Sequence, residues 1–249
     1  MGLRNFIESN NHRQIIKWNH YFEIYERYFE AYRGKEIVVL EIGVFQGGSL
    51  QMWKSYFGPK ARIYGIDINP ECKKFEEEKI EIFIGSQSDK TFLQSVKAKI
   101  PPIDILIDDG GHSMKQQIVS FKELFDHINP GGIYLCEDLH TSYWLAYGGG
   151  HKRKGSFIEF SKNLIDQLNA HSSEQRSLTP TSFTNSTYAL HYYESILIIE
   201  KRNRVKPKEV TSGEPSLTTN TKINKSIKYF ALLYLNSVLR FFRLSSFRW

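Results

Sequence analysis

Ile37-Val-Val-Leu-Glu41-Ile-Gly43-Val-Phe-Gln-Gly47-Gly48-Ser49 decides the fold. A short apolar run ending in glycine suits a strand buried on both faces, and GSLQMWKSYFG (48–58) after it has helical character. Glycines at such a turn let the chain reverse tightly and let a ligand approach the backbone. The N-terminus of the next helix offers unpaired N–H groups to an anion.

The same alternation continues downstream. Strands are expected at RIYGIDI (62–68), IEIFIGS (80–86), IDILIDD (103–109) and PGGIYLCED (130–138). Between them lie a charged helix-like stretch (70–79), DKTFLQSVKAKI (89–100) and the amphipathic MKQQIVSFKELFDHI (114–128). This pattern predicts an α/β fold of Rossmann-like, doubly wound type, with a mostly parallel sheet. A helix is expected over 155–170, and HYYESILIIEKR (191–202) supplies a late antiparallel edge strand. Upstream, Ile15, Trp18, Phe22, Tyr25 and Phe29 recur at helical spacing, which predicts one lead-in helix over 11–33.

The chain divides into a domain (1–204), a polar linker (205–221) and a C-terminal segment (222–249). Its 33 basic residues exceed its 27 acidic ones by six. Six basic residues (Lys222, Lys225, Lys228, Arg240, Arg243 and Arg248) follow Thr221, and no acidic residue does. The body is therefore balanced, and no nucleic-acid footprint spreads over it. In the tail, Ile227, Phe230, Ala231, Tyr234, Leu235, Val238, Leu239 and Phe242 share one helical face. The uncharged run Tyr229–Leu239 is too short to span a bilayer. Two readings stay open: peripheral contact with an anionic membrane, or packing on the domain or on another subunit of a homo-oligomer. MGLRNFIESNNHRQ lacks a secretory apolar region, and Cys72 and Cys136 form no disulfide framework. A cytoplasmic location follows as the expectation, with the inner membrane face if the tail binds lipid.

Chemistry concentrates at the expected carboxyl ends of the strands, where open parallel sheets bind ligands. Asp67 closes the second strand and can accept ribose hydroxyls. The spacing G-x-x-x-G-G departs from the dinucleotide fingerprint G-x-G-x-x-G, which weakens an NAD reading. Asp108-Asp109-Gly110-Gly111-His112 and Glu137-Asp138 end adjacent strands. Four carboxylates at one rim repel one another, and a hard divalent cation resolves that repulsion. His112 suits a general base for a hydroxyl. Tyr143 and Trp144, on a glycine-rich loop, are candidates to stack on a substrate or cover the pocket.

LEIGVFQGGSLQMW, GIDI, GSQSD, IDDGGH, PGGIYLCEDLHTSYW and HYYESILIIEK together resemble the metal-dependent sugar O-methyltransferases of class I, of the macrolide deoxysugar and rhamnosyl types. The resemblance covers roughly residues 15–202. It implies S-adenosylmethionine (SAM) contacts from Glu41, Gly43, Ser49, Asp67, Ser86 and Gln87, with Gly47 in the same turn and Asp108 near the methyl-donor end. It also implies Mg²⁺ on Asp109, Glu137 and Asp138, His112 as base, and a lead-in carrying Lys17, His20 and Tyr21. The expected acceptor is a saccharide, free or linked to lipid or polysaccharide. The family's long N-terminal domain is not among these residues, and the basic tail is foreign to the pattern. Two other readings remain: a nucleotide-dependent oxidoreductase on the same rim, and a non-catalytic SAM- or sugar-binding partner held at a membrane.

Overall fold

The computed structural model describes residues 2–216 and 226–242. Its elements are α1 (Leu3–Ser9), α2 (Tyr21–Phe29), β1 (Val38–Ile42), α3 (Gly48–Phe57), β2 (Arg62–Asp67) and β3 (Ile80–Ile84). Next come α4 (Lys90–Lys97), β4 (Ile103–Asp108), α5 (Met114–Leu124), β5 (Ile128–Cys136) and α6 (Phe157–Leu168). The last are α7 (Ser182–Ser186), β6 (Thr187–Tyr193), β7 (Ile196–Lys201) and α8 (Ile227–Phe241).

The strands form one seven-stranded sheet in the order β3-β2-β1-β4-β5-β7-β6. β1 to β5 run parallel, and β7 pairs antiparallel with both β5 and β6. Alternate residues on each strand feed opposite cores, as the two-residue strand period requires. Val39, Ile63, Ile105, Ile107, Leu135 and Ile198 pack with α2 and α3 on one face. Leu40, Ile66, Leu106, Tyr134 and Ile199 pack with α4, α5 and α6 on the other. Both faces being covered explains why the strands read as continuous apolar runs rather than alternating ones.

Three expectations are corrected. The lead-in is not one helix over 11–33: α2 covers only Tyr21–Phe29, and residues 10–20 form an irregular strap. The carbonyls of Arg13 and Gln14 lie so close to α3 that a Cβ on Gly48 would sit 2.6 and 2.4 Å from them. The strap is therefore held by what it crosses, and Gly48 is glycine because the strap occupies that space. Secondly, the stretch 70–79 forms only a short 3₁₀ turn over Pro70–Phe75. Thirdly, the antiparallel edge is present, but 191–202 is not one strand: His191–Tyr193 ends β6, which takes the sheet edge, and Ile196–Lys201 forms β7 after a hairpin turn.

Residues 205–216 carry no helix or strand and are exposed. The C-terminal helix is described over Ile227–Phe241, and the rest of the expected 222–249 segment lies outside the described residues apart from Ser226 and Phe242. Among the described residues, no helix is long and apolar enough to cross a membrane.

Candidate active site

β1 and β4 are adjacent strands whose connections leave the sheet in opposite directions, so the ends of β1, β4 and β5 share one rim. Ile42 is level with Asp108, and Asp108 with Cys136. The next residues on these strands, Gly43, Asp109 and Glu137, therefore come together. Gly43 has φ +95°, and a Cβ there would sit 2.0 Å from the Asp109 carbonyl oxygen. Gly43→Ala adds left-handed strain to a clash with backbone and is expected to cost about 3 kcal/mol. Thermal denaturation checks this, and an unchanged Tm would contradict it.

A cavity of about 380 Å³ opens beside this turn, lined by Gly43, Phe45, Asp67, Asn69, Ser86, Gln87 and Asp109, among others. Of the residues expected at a cofactor, Gly43, Asp67, Ser86 and Gln87 line it. The Asp67 carboxylate accepts backbone N–H bonds from Val44, Phe45 and Asn69, which ties the end of β2 to the glycine turn. Four expected residues do not line the cavity. Ser49 donates to the buried Glu41 (2.7 Å) behind the turn, and Gly47 packs on the Phe75 ring. Asp108 is buried and accepts from Gln87 Nε2 (2.9 Å).

Burial pushes the Asp108 carboxyl up from 3.8 to about 7, against the Gln87 hydrogen bond and with the Asp109 charge. An acid protonated in the fold but ionised in the unfolded chain adds stability that is complete below the unfolded value of 3.8. That stability is lost as pH rises through about 7. Asp108→Asn is expected to abolish this loss. Urea midpoints at about pH 5 and about pH 8 check it; an equal fall with pH in both proteins would contradict it.

Asp109 also lines a second, acidic recess with Lys17, Trp18, Tyr21, Glu137 and Asp138. Lys17 descends from the strap and its side chain is almost fully buried. Its ammonium pairs with Asp109, donates to Glu137 (2.9 Å) and lies 3.7 Å from Glu41. Tyr25 donates to the other Glu137 oxygen (2.7 Å), and Tyr21 to Asp138 (2.8 Å). Burial opposes the charge on Lys17, yet Asp109, Glu137 and Glu41 outweigh it and hold the ammonium well above its usual range. Burial raises Asp109, Glu137 and Glu41 above the usual carboxylate range, with Lys17 pulling each back.

His112 Nε2 lies 3.5 Å from Asp138 and 3.9 Å from Asp109. One donor atom from each of Asp109, His112 and Asp138 falls within 4.8 Å of the others. His112 Nδ1 is buried without a hydrogen-bond partner. His112 and Asp138 both hold left-handed backbone, φ 55° each, as does Phe45 at 51°. Such conformations cost on the order of 1–3 kcal/mol and gather at sites where geometry matters more than stability. Three carboxylates (Glu41, Asp109 and Glu137) face one ammonium here and Asp138 lies beside Asp109, so the donor set fits a further hard cation with oxygen ligands.

Trp18 lines the recess and also a third cavity of about 800 Å³. Its walls include His140, Tyr143, Trp144, Ile158, Tyr192 and Tyr193. Tyr143 and Trp144, expected near a substrate, are half exposed on this wall. Sequence reading missed Tyr25, counted only as an apolar helix position, and Gln117, which donates to the Glu137 carbonyl (3.1 Å). The polar tip of a tyrosine on an apolar face is a usable signal for such a contact.

A parallel sheet ending in a β5-β7-β6 antiparallel edge, with a glycine turn after β1 and an acidic rim after β4 and β5, defines a class I methyltransferase fold. Residues 40–139 match the family described as "Methyltransferase domain". Among characterised relatives, the 8-demethyl-8-alpha-L-rhamnosyl tetracenomycin-C 2'-O-methyltransferase of Streptomyces olivaceus is 36% identical over 197 residues, 75% of this chain and 52% of that protein. The mycinamicin VI 2''-O-methyltransferase of Micromonospora griseorubida is 37% identical over 190 residues, 71% of this chain and 47% of that protein. A crystal structure of the MycE methyltransferase from the mycinamycin biosynthetic pathway, in complex with Mg, SAH and mycinamycin VI, superposes with a TM-score of 0.76. It is 29% identical and aligns with 93% of this chain and 58% of that one. The chain thus spans about half the length of the curated relatives it matches.

Proposed function

We propose that residues 1–204 transfer a methyl group from SAM to a sugar hydroxyl, assisted by Mg²⁺ or a similar divalent cation. The adjacency of the three cavities carries this reading: Asp109 lines the first and second, and Trp18 the second and third. A methyl donor beside Gly43, Asp67 and Gln87 then lies next to the acidic recess, and an acceptor in the aromatic cavity enters that recess from the other side. The relatives are named as O-methyltransferases of a rhamnosyl tetracenomycin-C and of mycinamicin VI, and the superposed structure holds Mg, SAH and mycinamycin VI.

On this reading Asp109, Glu137 and Asp138 would hold the metal, whose positive charge would acidify and orient a sugar hydroxyl. Tyr21 and Tyr25 fix Asp138 and Glu137 by hydrogen bonds. His112 accepts the hydroxyl proton on Nε2, the ring nitrogen that faces Asp109 and Asp138. The C–S bond of the donor breaks as the O–CH₃ bond forms. Tyr143 and Trp144 offer aromatic faces to the sugar or its aglycone. Cytoplasmic location is part of the proposal, and the buried free thiols Cys72 and Cys136 suit a reducing compartment.

Incubating the chain with methyl-labelled SAM and a panel of deoxysugar glycosides, with Mg²⁺ or with a chelator, tests the assignment. Label is expected in a glycoside only when divalent metal is present. S-adenosylhomocysteine (SAH) binding without transfer to any saccharide would remove the sugar from the proposal, and transfer in chelator would remove the metal.

A further inference from the structure

The tail helix presents its apolar stripe to solvent. Along α8, Ile227, Phe230, Ala231, Tyr234, Leu235, Val238, Phe241 and Phe242 follow the spacing of one helical face, and every one of them is exposed. Ile227 is 90% exposed, Tyr234 73% and Phe241 81%, so the stripe is open along its whole length. Tyr229, Leu232, Leu233 and Asn236 on the opposite face are half-buried, as are Ser237 and Leu239 at the flanks, so Leu239, expected in the stripe, is not among its exposed members. The stripe therefore does not rest on the domain, one of the three sites that sequence left open for it. Folding alone does not account for a stripe of this kind, because exposing large apolar groups in a row carries a solubility cost.

Charge names the occupant. From Thr221 onward the sequence holds six basic residues and no acidic one, while the rest of the chain is balanced. In sequence, Lys222 and Lys225 precede α8 and Lys228 lies in its first turn, while Arg240 lies in its last turn and Arg243 and Arg248 follow it. Two copies meeting through this stripe would bring two such tails together with no acid on either to pair them. An anionic lipid surface matches this excess of positive charge: each basic residue near it strengthens partitioning roughly fivefold. The apolar centre sinks into the headgroup boundary while the long basic side chains reach the phosphates. At 15 residues α8 extends about 22 Å, too short to cross and long enough to lie flat. We propose that α8 docks this chain on an anionic membrane surface through the Ile227–Phe242 stripe.

The test uses the full chain in co-sedimentation with vesicles of phosphatidylcholine alone or mixed with phosphatidylglycerol. Binding is expected only to the mixed vesicles, and to weaken as salt screens the basic residues. The triple variant Phe230→Asp, Tyr234→Asp, Phe241→Asp changes only exposed side chains, so it is expected to keep SAH affinity while losing at least ~10-fold in vesicle binding. Failure of the wild-type chain to pellet with anionic vesicles, or equal pelleting of the variant, would overturn the proposal. Sedimentation equilibrium supplies the other occupant. A wild-type dimer that the triple substitution dissociates, without vesicle binding, would make the stripe a subunit interface and overturn the proposal. None of these readouts depends on methyl transfer, so failure here is distinct from failure of the sugar-methylation reading.

Discussion

Asp109→Asn is expected to lower methyl transfer by on the order of 10³-fold while SAH still binds. The substitution keeps the size of the side chain and the backbone bond from Asp109 N to the Ile42 carbonyl (2.9 Å). It removes one negative oxygen from the group formed with His112 and Asp138. A metal's charge stabilisation is worth several kcal/mol, and each 1.36 kcal/mol is tenfold in rate. Lys17 retains Glu137 and Glu41 as partners, so the strap is expected to stay in place. Steady-state kinetics at saturating Mg²⁺, paired with SAH calorimetry, separate the two effects. Turnover within tenfold of wild type would contradict a metal on Asp109.

His112→Ala is expected to cost ~10²–10⁴-fold in kcat, the range for a positioned general base. His112 has φ 55°, which alanine tolerates poorly, so a second variant is needed to separate chemistry from backbone misfit. Asn accepts left-handed backbone readily, and His112→Asn is expected to fold and bind SAH like wild type while remaining as slow as the alanine variant. A His112→Asn protein with wild-type kcat would contradict the assignment of the base.

Much of this arrangement is legible locally. The strands announce themselves because both faces of the sheet are covered, and the rim acids follow because Asp108 ends a strand and Asp109, Glu137 and Asp138 lie one or two residues beyond one. The strap is not legible. Ile15 and Trp18 share helical spacing with Phe22, Tyr25 and Phe29, yet only the last three are in a helix. What straightens residues 10–20 is remote in sequence: Lys17 is drawn onto Glu41, Asp109 and Glu137 from three different strand ends. The β6–β7 hairpin hides for another reason. Its turn, Glu194-Ser195, lacks the Gly or Asn that usually marks one, and Ser195 takes φ 65° itself. The tail's face was visible from periodicity, but which way it points came only from the exposure of Ile227, Tyr234 and Phe241.

Calorimetric titration of SAH and of NAD into the purified chain, with Mg²⁺ and with a chelator, is the most direct measurement. SAH is expected to bind in the cavity beside Gly43 and Asp67, and NAD to give no heat. Binding of NAD, or of neither compound, would contradict a methyl-donor site on this rim.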